Sequence, residues 1–285
     1  MIRYRSEANE RWIGFEHRPG DIVISTRSKC GTTWLQMICA LLVFQDPDLP
    51  APLAELSPWL DWEVEPLDVV SDRLERQTHR RFIKTHAPLD GLPLQPEVTY
   101  LVAGRHPLAV AESLFAHGHN IDRDRFEVLT GRRTAPPAGT FEEWATGWLA
   151  PDDDALGELD TLPGLVHHID DAWSRRGTID VVLVHYGDLT SDLEGEMRRL
   201  AAHLGIDVPA ARWPPLVEAA GFASMRSRAA DLAPDRLGVL KDPVAFFRAA
   251  ATGRRATSMP EALAARCAAI VTEQAAPEAA AWLLR

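Results

Sequence analysis

The chain has 285 residues, of which 46% are hydrophobic and 25% are charged, as expected for a folded globular protein of one large domain or two small ones. Its formal net charge of −11 disfavours general nucleic-acid binders and binders of anionic membranes, so we expect neither partner. Specific side chains in such a chain can still bind a single phosphate. The sequence leaves the oligomeric state open.

The cysteines and the apolar runs indicate a cytoplasmic protein. Cys30, Cys39 and Cys267 are few and irregularly spaced, which predicts neither a disulfide framework nor a metal site. The opening residues lack the apolar core of a signal peptide, and no run approaches the roughly 20 apolar residues of a membrane helix. No linker or change in composition divides the chain, so we expect one domain over residues 1–285.

The first predicted strand, Asp21–Thr26, is a short β-branched run. The apolar stretch Thr33–Phe44 predicts a helix, which Pro47 ends. A strand, a tight polar turn and a helix in this order are typical of a phosphate-binding loop. The first part of the chain therefore predicts a P-loop-like element.

Further apolar runs predict more strands and helices in alternation. Runs rich in valine and leucine are typical of parallel strands that are covered on both faces. Alternation with helices predicts an α/β fold with a central, mostly parallel sheet flanked by helices. The further predicted strands are Arg81–Thr85, Thr99–Gly104 and Asp180–His185, and the further predicted helices are Pro107–Ala116, Leu193–Leu204 and Glu261–Ala276.

Residues 118–150 differ from the rest because glycines and prolines lie among charged residues there. This pattern predicts a long irregular stretch. Within a compact domain, such a stretch is either a functional loop, for example a lid, or a surface insertion. The sequence does not decide between the two.

The loop over Lys29–Trp34 has the residues of an anion site. Gly31 allows close backbone approach, the following helix offers unpaired N–H groups, and Lys29 adds positive charge. Thr32 and Thr33 add hydroxyl groups. The loop is not a Walker A motif, because its lysine precedes the glycine. From spacing alone, a threonine that merely caps a core helix is equally compatible.

Other polar residues follow the remaining predicted strands. Arg105 sits where open α/β sheets bind ligands, and Ser113 lies about two helical turns further on. His86 and Tyr186 follow two other strands. For the arginine taken alone, a structural ion pair with one of the many carboxylates is favoured. The other histidines of interest are interpreted as packed or surface residues: His106, His117, His119, His167 and His168.

These segments, in this order, resemble the soluble, cytosolic-type sulfotransferases. The nucleotide loop of that family is approximately YPKSGTTW, and this chain has TRSKCGTTW at residues 26–34. The family motif KTHLP is similar to residues 84–88, and its Arg-Asn-Pro motif with a helical serine is similar to residues 105–107 with Ser113. The later family segments YED, TSFxxMK and FxRKGxxGDW resemble residues 186–188, residues 220–226, and Phe246–Arg248 with Gly253.

The resemblance implies a sulfuryl donor, 3'-phosphoadenosine 5'-phosphosulfate (PAPS), and no metal. It implies that His86 is the catalytic base, that Lys29 neutralises the leaving phosphate and that Lys84 assists. It also implies a set of nucleotide contacts. Lys29, Cys30, Gly31, Thr32 and Thr33 would hold the phosphosulfate, Trp34 and Phe222 the adenine, Arg105 and Ser113 the 3'-phosphate, and Tyr186 and Arg248 would close around the nucleotide.

The chain departs from the family pattern in four places. Arg27 and Ser28 replace Tyr-Pro, and Cys30 replaces the serine of the loop. Residues 220–221 are Ala-Gly where the family has Thr-Ser. Residues 248–255 keep the first arginine of RKGxxGDW but lose the lysine and the first glycine. The dimer motif of many eukaryotic members is not recognisable.

The expected acceptor is a small molecule, namely an apolar or aromatic alcohol, phenol or amine. Apolar pockets with few polar groups are typical of such acceptors. Ordinary core packing explains most of the candidate lining residues equally well. The candidates are Trp59, Leu60, Trp62, Phe115, Phe141, Trp144 and Trp148.

Two other functions remain open. A phosphotransferase of the kinase class would use ATP with Mg²⁺, and the position of Lys29 argues against it. A non-catalytic nucleotide-binding relative is suggested by the altered residues 248–255. The presence of Lys29 and His86 argues against that second alternative.

Overall fold

The computed structural model describes residues 1–149, 157–247 and 260–285. Its centre is a sheet of parallel strands in the order β2-β1-β3-β4. The start of each predicted strand agrees with the structure to within one residue, and the ends coincide. The strands are β1 Ile22–Thr26, β2 Phe82–Thr85, β3 Thr99–Gly104 and β4 Val181–His185.

Helices surround this sheet along the whole described chain. They are α1 Thr32–Phe44, α2 Leu53–Leu56, α3 Leu67–Arg76, α4 Pro107–Asn120, α5 Arg123–Thr130, α6 Phe141–Leu149, α7 Leu162–Arg175, α8 Tyr186–Ser191, α9 Leu193–His203, α10 Trp213–Ala220, α11 Phe222–Ser227, α12 Ala229–Leu232, α13 Pro243–Phe246, α14 Glu261–Gln274 and α15 Pro277–Leu283. Short 3-10 turns cover Asn9–Trp12, Leu89–Gly91 and Ala210–Arg212.

Different helices pack against the two halves of the sheet. Helix α1 packs against β1, β2 and α10, whereas α7 packs against β3, β4, α14 and α15. Every residue of β1 and β3 is buried, which explains their continuous apolar character. The predicted α/β fold with a parallel sheet flanked by helices and a P-loop-like element is confirmed.

The order of the strands creates a crevice at one edge of the sheet. From β1 the chain passes to β2 on one side, and β3 then lies on the other side of β1. Connections that diverge from neighbouring strands leave a gap at their carboxyl ends, where open α/β sheets bind ligands. The loop after β1 and the turn after β3 meet at this gap.

The predicted irregular stretch over residues 118–150 is wrong in part. Helix α5 begins where the Asp122 carboxylate accepts from the backbone N–H of Arg125, and it ends at Gly131, which has φ +67°. Before α6, Thr140 and Glu143 exchange side-chain and backbone hydrogen bonds as a capping box. Local caps thus define the polar helix α5, whereas α6 is amphipathic and packs on the core through Phe141, Trp144, Ala145, Trp148 and Leu149.

Other helix ends differ from the predictions by small amounts. Helix α1 ends at Gln45, whose φ of 53° breaks the helix before Pro47 is reached. Helix α4 continues four residues beyond the predicted Ala116. The C-terminal helix predicted over Glu261–Ala276 is α14, which ends at Gln274, and the separate helix α15 follows it. Across the described ranges, no helix has both the length and the apolar character to cross a membrane.

Candidate active site

A cavity of about 310 Å³ lies at the carboxyl ends of the strands. Each strand supplies a residue just beyond its end, because parallel strands terminate at the same edge of the sheet. Lys29 follows β1, His86 follows β2, Arg105 follows β3 and Tyr186 follows β4. The basic side chains of Lys29, Lys84 and Arg105 in the cavity wall make it suitable for an anion in a chain of net charge −11.

The loop after β1 turns through two residues with positive φ. Lys29 has φ +65° and Gly31 has φ +105°. A Cβ atom on Gly31 would lie 3.0 Å from Cδ2 of Tyr186, so the position requires glycine both for its backbone and for the neighbouring ring. The first N–H groups of α1, which have no partner within a helix, follow directly.

The two threonines of the loop face the cavity, whereas its cysteine faces the core. Thr32 and Thr33 line the cavity, and the Thr32 hydroxyl shares a hydrogen bond of 2.5 Å with that of Thr26. The Cys30 side chain is fully buried in the core, and burial raises its pKa to about 12. Its backbone N–H donates to the Arg27 carbonyl at 3.2 Å. The predicted contact of Cys30 with the nucleotide is therefore not supported by its side chain.

Arg105 contacts both the loop after β1 and the residue that follows β4. Its Nη1 donates to the Lys29 carbonyl at 3.0 Å, and its guanidinium carbon lies 4.3 Å from the centroid of the Tyr186 ring. Lys29 Nζ lies 3.8 Å from the centroid of Phe246. Ser113 lines the same cavity from α4. The predicted cluster of Lys29, Arg105, Ser113 and Tyr186 is thus brought together by the fold.

His86 has a defined tautomer. Its Nδ1 is hydrogen-bonded to the Thr26 carbonyl, and a carbonyl only accepts, so Nδ1 carries the proton and Nε2 is the basic nitrogen. The pKa of His86 is well below its usual 6.5, first because of burial and then because of the cations of Lys84 and Arg27. The imidazole is consequently neutral near pH 7, as a general base requires.

Lys84 is buried beside His86. Its Nζ lies 3.6 Å from the centroid of the Trp59 ring, and only 4% of the residue is exposed. Burial lowers the pKa of Lys84 to about 7, although the carboxylates of Asp61 and Glu7 oppose the shift. An anion that binds in the cavity would favour the charged form of this lysine.

An aromatic group forms another part of the cavity wall. Trp34 Nε1 donates to the Ala220 carbonyl at 2.9 Å, and the Trp34 and Tyr186 ring centroids are 5.2 Å apart. Phe222, the first residue of α11, also lines the cavity. The predicted adenine contacts therefore share the cavity with the phosphate loop. Arg248 lies outside the described residues.

Only part of the predicted acceptor lining reaches the cavity. Trp59 and Trp62 line it as a stacked pair with centroids 4.9 Å apart. Leu60 and Trp148 are buried in the core instead. The rings of Phe115, Phe141 and Trp144 contact one another where α4 meets α6, and they are not among the residues that line the cavity.

Sequence reasoning did not assign several residues of the site, and three of these are charged or titratable. Arg27 is buried behind His86, and Asp160 and His117 line the cavity. His117 lies four residues after Ser113 on α4 and hence on the same helix face, which is a signal that the sequence contains. Arg27 is visible as a departure from the family motif. Asp160 has no such signal.

Within the described ranges, no group of three or more histidine, cysteine, aspartate or glutamate side chains lies where it could hold a metal ion. The absence of a metal in the reaction stays a prediction.

Comparisons with known proteins agree with this geometry. The sequence model of the sulfotransferase domain family matches residues 19–277. A glycolipid sulfotransferase of Mycobacterium bovis is 38% identical over 305 residues, with 99% of this chain and 93% of that protein covered. Sulfotransferase 1A1 of Bos taurus is 26% identical over 233 residues, with 79% and 72% covered.

Solved structures have the same fold. The mouse sulfotransferase SULT7A1 complexed with PAP has a TM-score of 0.71 at 20% identity, with 95% of this chain and 89% of that chain covered. Retinol dehydratase in a complex with retinol and PAP has a TM-score of 0.71 at 21% identity, with 93% and 83% covered. With the family match over most of its length, the chain belongs to the sulfotransferase family and is a sulfotransferase.

Proposed function

We propose that the enzyme transfers the sulfuryl group of PAPS to a hydroxyl or amine of a small acceptor with an apolar or aromatic body. His86 acts as the general base and Lys29 stabilises the leaving phosphate. The observation that carries the proposal is the tautomer of His86. A neutral imidazole with its basic Nε2 lines the same cavity as the cationic loop after β1.

The residues of the cavity suit the donor. Lys29, Arg105 and the first N–H groups of α1 supply positive charge and donors for its phosphates. Trp34 and Phe222 offer aromatic faces for an adenine. The relatives of known structure were solved with PAP, which supports a donor that leaves this product.

The proposed chemistry requires one proton transfer and one neutralisation of charge. The bond from sulfur to the phosphate oxygen breaks, and a bond from sulfur to the acceptor atom forms. The acceptor proton passes to Nε2 of His86. Negative charge grows on the leaving phosphate, and Lys29 neutralises it, with Lys84 in support because its pKa of about 7 responds to a nearby anion.

The apolar wall favours an acceptor with an apolar part. Trp59, Trp62 and Phe126 line the cavity together with Val239 and Leu240. The 38% identical relative is named for glycolipid sulfation. Both facts support an acceptor with a lipid-like or aromatic portion beside its hydroxyl group.

The base role is tested with two variants of His86. His86→Ala removes the imidazole, and His86→Asn keeps an amide donor for the Thr26 carbonyl but has no base. We expect both to lower kcat by about 10²- to 10⁴-fold, measured with radiolabelled PAPS and a panel of alcohols, phenols, amines and glycolipids. Binding of adenosine 3',5'-bisphosphate, measured by calorimetry, should change little. Turnover near the wild-type rate in His86→Asn would refute the base assignment.

The choice of donor is tested separately by ligand-induced thermal stabilisation. A ligand that binds only the folded protein raises the unfolding temperature. We expect adenosine 3',5'-bisphosphate to do so and ATP with Mg²⁺ to have a much smaller effect. The reverse order would favour the kinase class, and binding without turnover of any acceptor would favour a non-catalytic relative.

A further inference from the structure

Arg27 is a buried arginine whose planar fork reaches three separate parts of the chain. Its Nη1 donates to the Glu7 carboxylate at 2.8 Å and also to the backbone carbonyl of His86. Its Nη2 donates to the Asp160 carboxylate at 2.6 Å. The Arg27 side chain is only 3% exposed. The guanidinium therefore joins the N-terminal segment, the end of β2 and the segment before α7 from inside the protein.

The same short stretch holds His86 at two points. The carbonyl of Thr26 accepts from Nδ1 of the imidazole, and the side chain of the next residue, Arg27, donates to the His86 carbonyl. One contact orients the ring, and the other fixes the backbone from which the ring projects. These two hydrogen bonds, one to the ring and one to the backbone of His86, keep the ring in one orientation and one tautomer.

We propose that Arg27 is a positioning residue for His86: its guanidinium fixes the His86 backbone so that the imidazole keeps its bond to the Thr26 carbonyl and keeps Nε2 for the acceptor. The inference rests on the proposed base role of His86. It also assigns a purpose to the departure from Tyr-Pro at residues 27 and 28. A tyrosine has one hydroxyl and cannot serve three acceptors, whereas an arginine has five donors in a fixed fork.

Two carboxylates neutralise the positive charge of the Arg27 guanidinium. Glu7 and Asp160 lie on different nitrogens of the fork, so the buried cation is paired. For His86, the neighbouring titratable groups are Lys84 on β2, Arg27 after β1 and His168 on α7, and each of them lowers its pKa. Loss of the Arg27 cation should therefore raise the pKa of the base as well as loosen its backbone.

The test requires a variant that removes the hydrogen bond from Arg27 to the His86 carbonyl without leaving a buried charge unpaired. Arg27→Met leaves Glu7 buried and unpaired, so Arg27→Met/Glu7→Leu is the safer variant. Arg81→Met/Asp21→Leu is the matched control, because it removes another buried arginine–carboxylate pair, at the start of β2. Both double variants lose one buried arginine–carboxylate pair. The first also loses the bond to Asp160, whose side chain is 40% exposed, and it alone loses a contact with His86.

The first readout is the tautomer of His86, which needs no turnover. Nitrogen NMR of histidine-labelled protein, with the His86 signals identified from His86→Asn, should show protonated Nδ1 and unprotonated Nε2 in the wild type and in the Arg81 control. In Arg27→Met/Glu7→Leu we expect a mixture of tautomers. A His86 spectrum identical to that of the wild type would overturn the proposal. Because this readout is independent of activity, its failure is distinct from a failure of the base role, which His86→Asn tests by turnover.

The second readout is kinetic. In Arg27→Met/Glu7→Leu we expect kcat to fall about 10- to 100-fold, with the acid limb of its pH profile displaced upward by about one pH unit. Arg27→Lys keeps the charge but loses the fork, so its acid limb should stay near that of the wild type while kcat falls. The affinity for adenosine 3',5'-bisphosphate should be unchanged in all of them. A loss of kcat equal to that of the Arg81 control, with no displacement of the acid limb, would show that Arg27 has only a structural role.

Discussion

His86 and Lys84 are neighbours at the end of β2, and burial acts on both in the same direction. A neutral base is ready to accept a proton, which the lowered pKa of His86 provides. A lysine with a pKa of about 7 is only partly charged before a ligand arrives, and a bound anion raises that pKa again. The two side chains therefore suit a reaction in which negative charge is introduced with the donor.

The prediction at the residue scale concerns Arg105. Arg105→Ala removes the bond to the Lys29 carbonyl and the contact with Tyr186, and it also removes a cation from the wall of the cavity. Hydrogen bonds to charged groups contribute about 1.5–3 kcal/mol, so we expect the affinity for adenosine 3',5'-bisphosphate to fall by about 10- to 100-fold, measured by calorimetry.

Arg105→Lys is the matched control, because it keeps the charge and loses the planar fork. Its affinity should lie between those of the wild type and the alanine variant. Normal binding of the bisphosphate by Arg105→Ala would refute the assignment of this residue to the nucleotide.

At the scale of elements, the site depends on how α1 begins. Gly31 precedes the helix with φ +105°, and the Tyr186 ring, which begins α8, packs directly over it. The close approach lets one ring contact the loop after β1, Arg105 and Trp34 at once. The loop and the end of β4 thus form one wall, although more than 150 residues separate them in the sequence.

Gly31→Ala tests this element. A side chain at positive φ costs about 1–2 kcal/mol, and the new Cβ would also press on Cδ2 of Tyr186 at 3.0 Å. Gly177→Ala is the matched control, since Gly177 has φ +86° with no atom within 4 Å of an added Cβ. We expect both variants to lose stability in denaturant titrations, Gly31→Ala more than Gly177→Ala, with weaker nucleotide binding in Gly31→Ala alone. Equal binding by the two variants would contradict the close approach of Tyr186.

At the scale of the whole molecule, buried and half-buried histidines dominate the expected response of stability to mild acid. Burial lowers the pKa of His117 and His168 to about 3 and that of His185 to about 4, and it also lowers the pKa of His86 and His106. Four groups act in the opposite direction, and for Asp61 and Glu158 among them burial raises the pKa. The pKa of His167 is raised, first by its hydrogen bond to Asp90, and that of Glu7 is raised to about 7 by burial.

The sign of the pH dependence follows from proton binding. Between about pH 4 and 6.5 the unfolded chain binds more protons at these five histidines than the folded chain does, so stability is lost as the pH falls through this window. We expect a decreasing free energy of unfolding from pH 6.5 to 5.0, measured with urea. In His168→Gln the slope should be smaller by up to about 1.4 kcal/mol per pH unit. An unchanged slope in that variant would mean that His168 is not buried in its neutral form.

The sequence by itself determined the order of the elements and the segments that belong to the site. The strands coincide with short β-branched or valine-rich runs, because such residues suit extended backbone that is covered on both faces. The loop at residues 29–34 and the residues after the other strands were recognised from local chemistry, and their order indicated the sulfotransferase family before any distance was known. Helix α5 was not predicted because side-chain caps define it rather than an apolar stripe. Helix α6 does carry an apolar stripe at helical spacing, which the glycines and prolines around it concealed.

Only the tertiary structure decided which of these side chains meet and in what state. The tautomer of His86, the pKa of Lys84 and the three contacts of Arg27 depend on atoms that are distant in sequence. Cys30 follows Lys29 directly but points into the core, and Trp59 reaches the cavity while the neighbouring Leu60 does not. Burial and hydrogen bonding are properties of the packed neighbourhood, and sequence spacing specifies that neighbourhood only within a single strand, helix or turn.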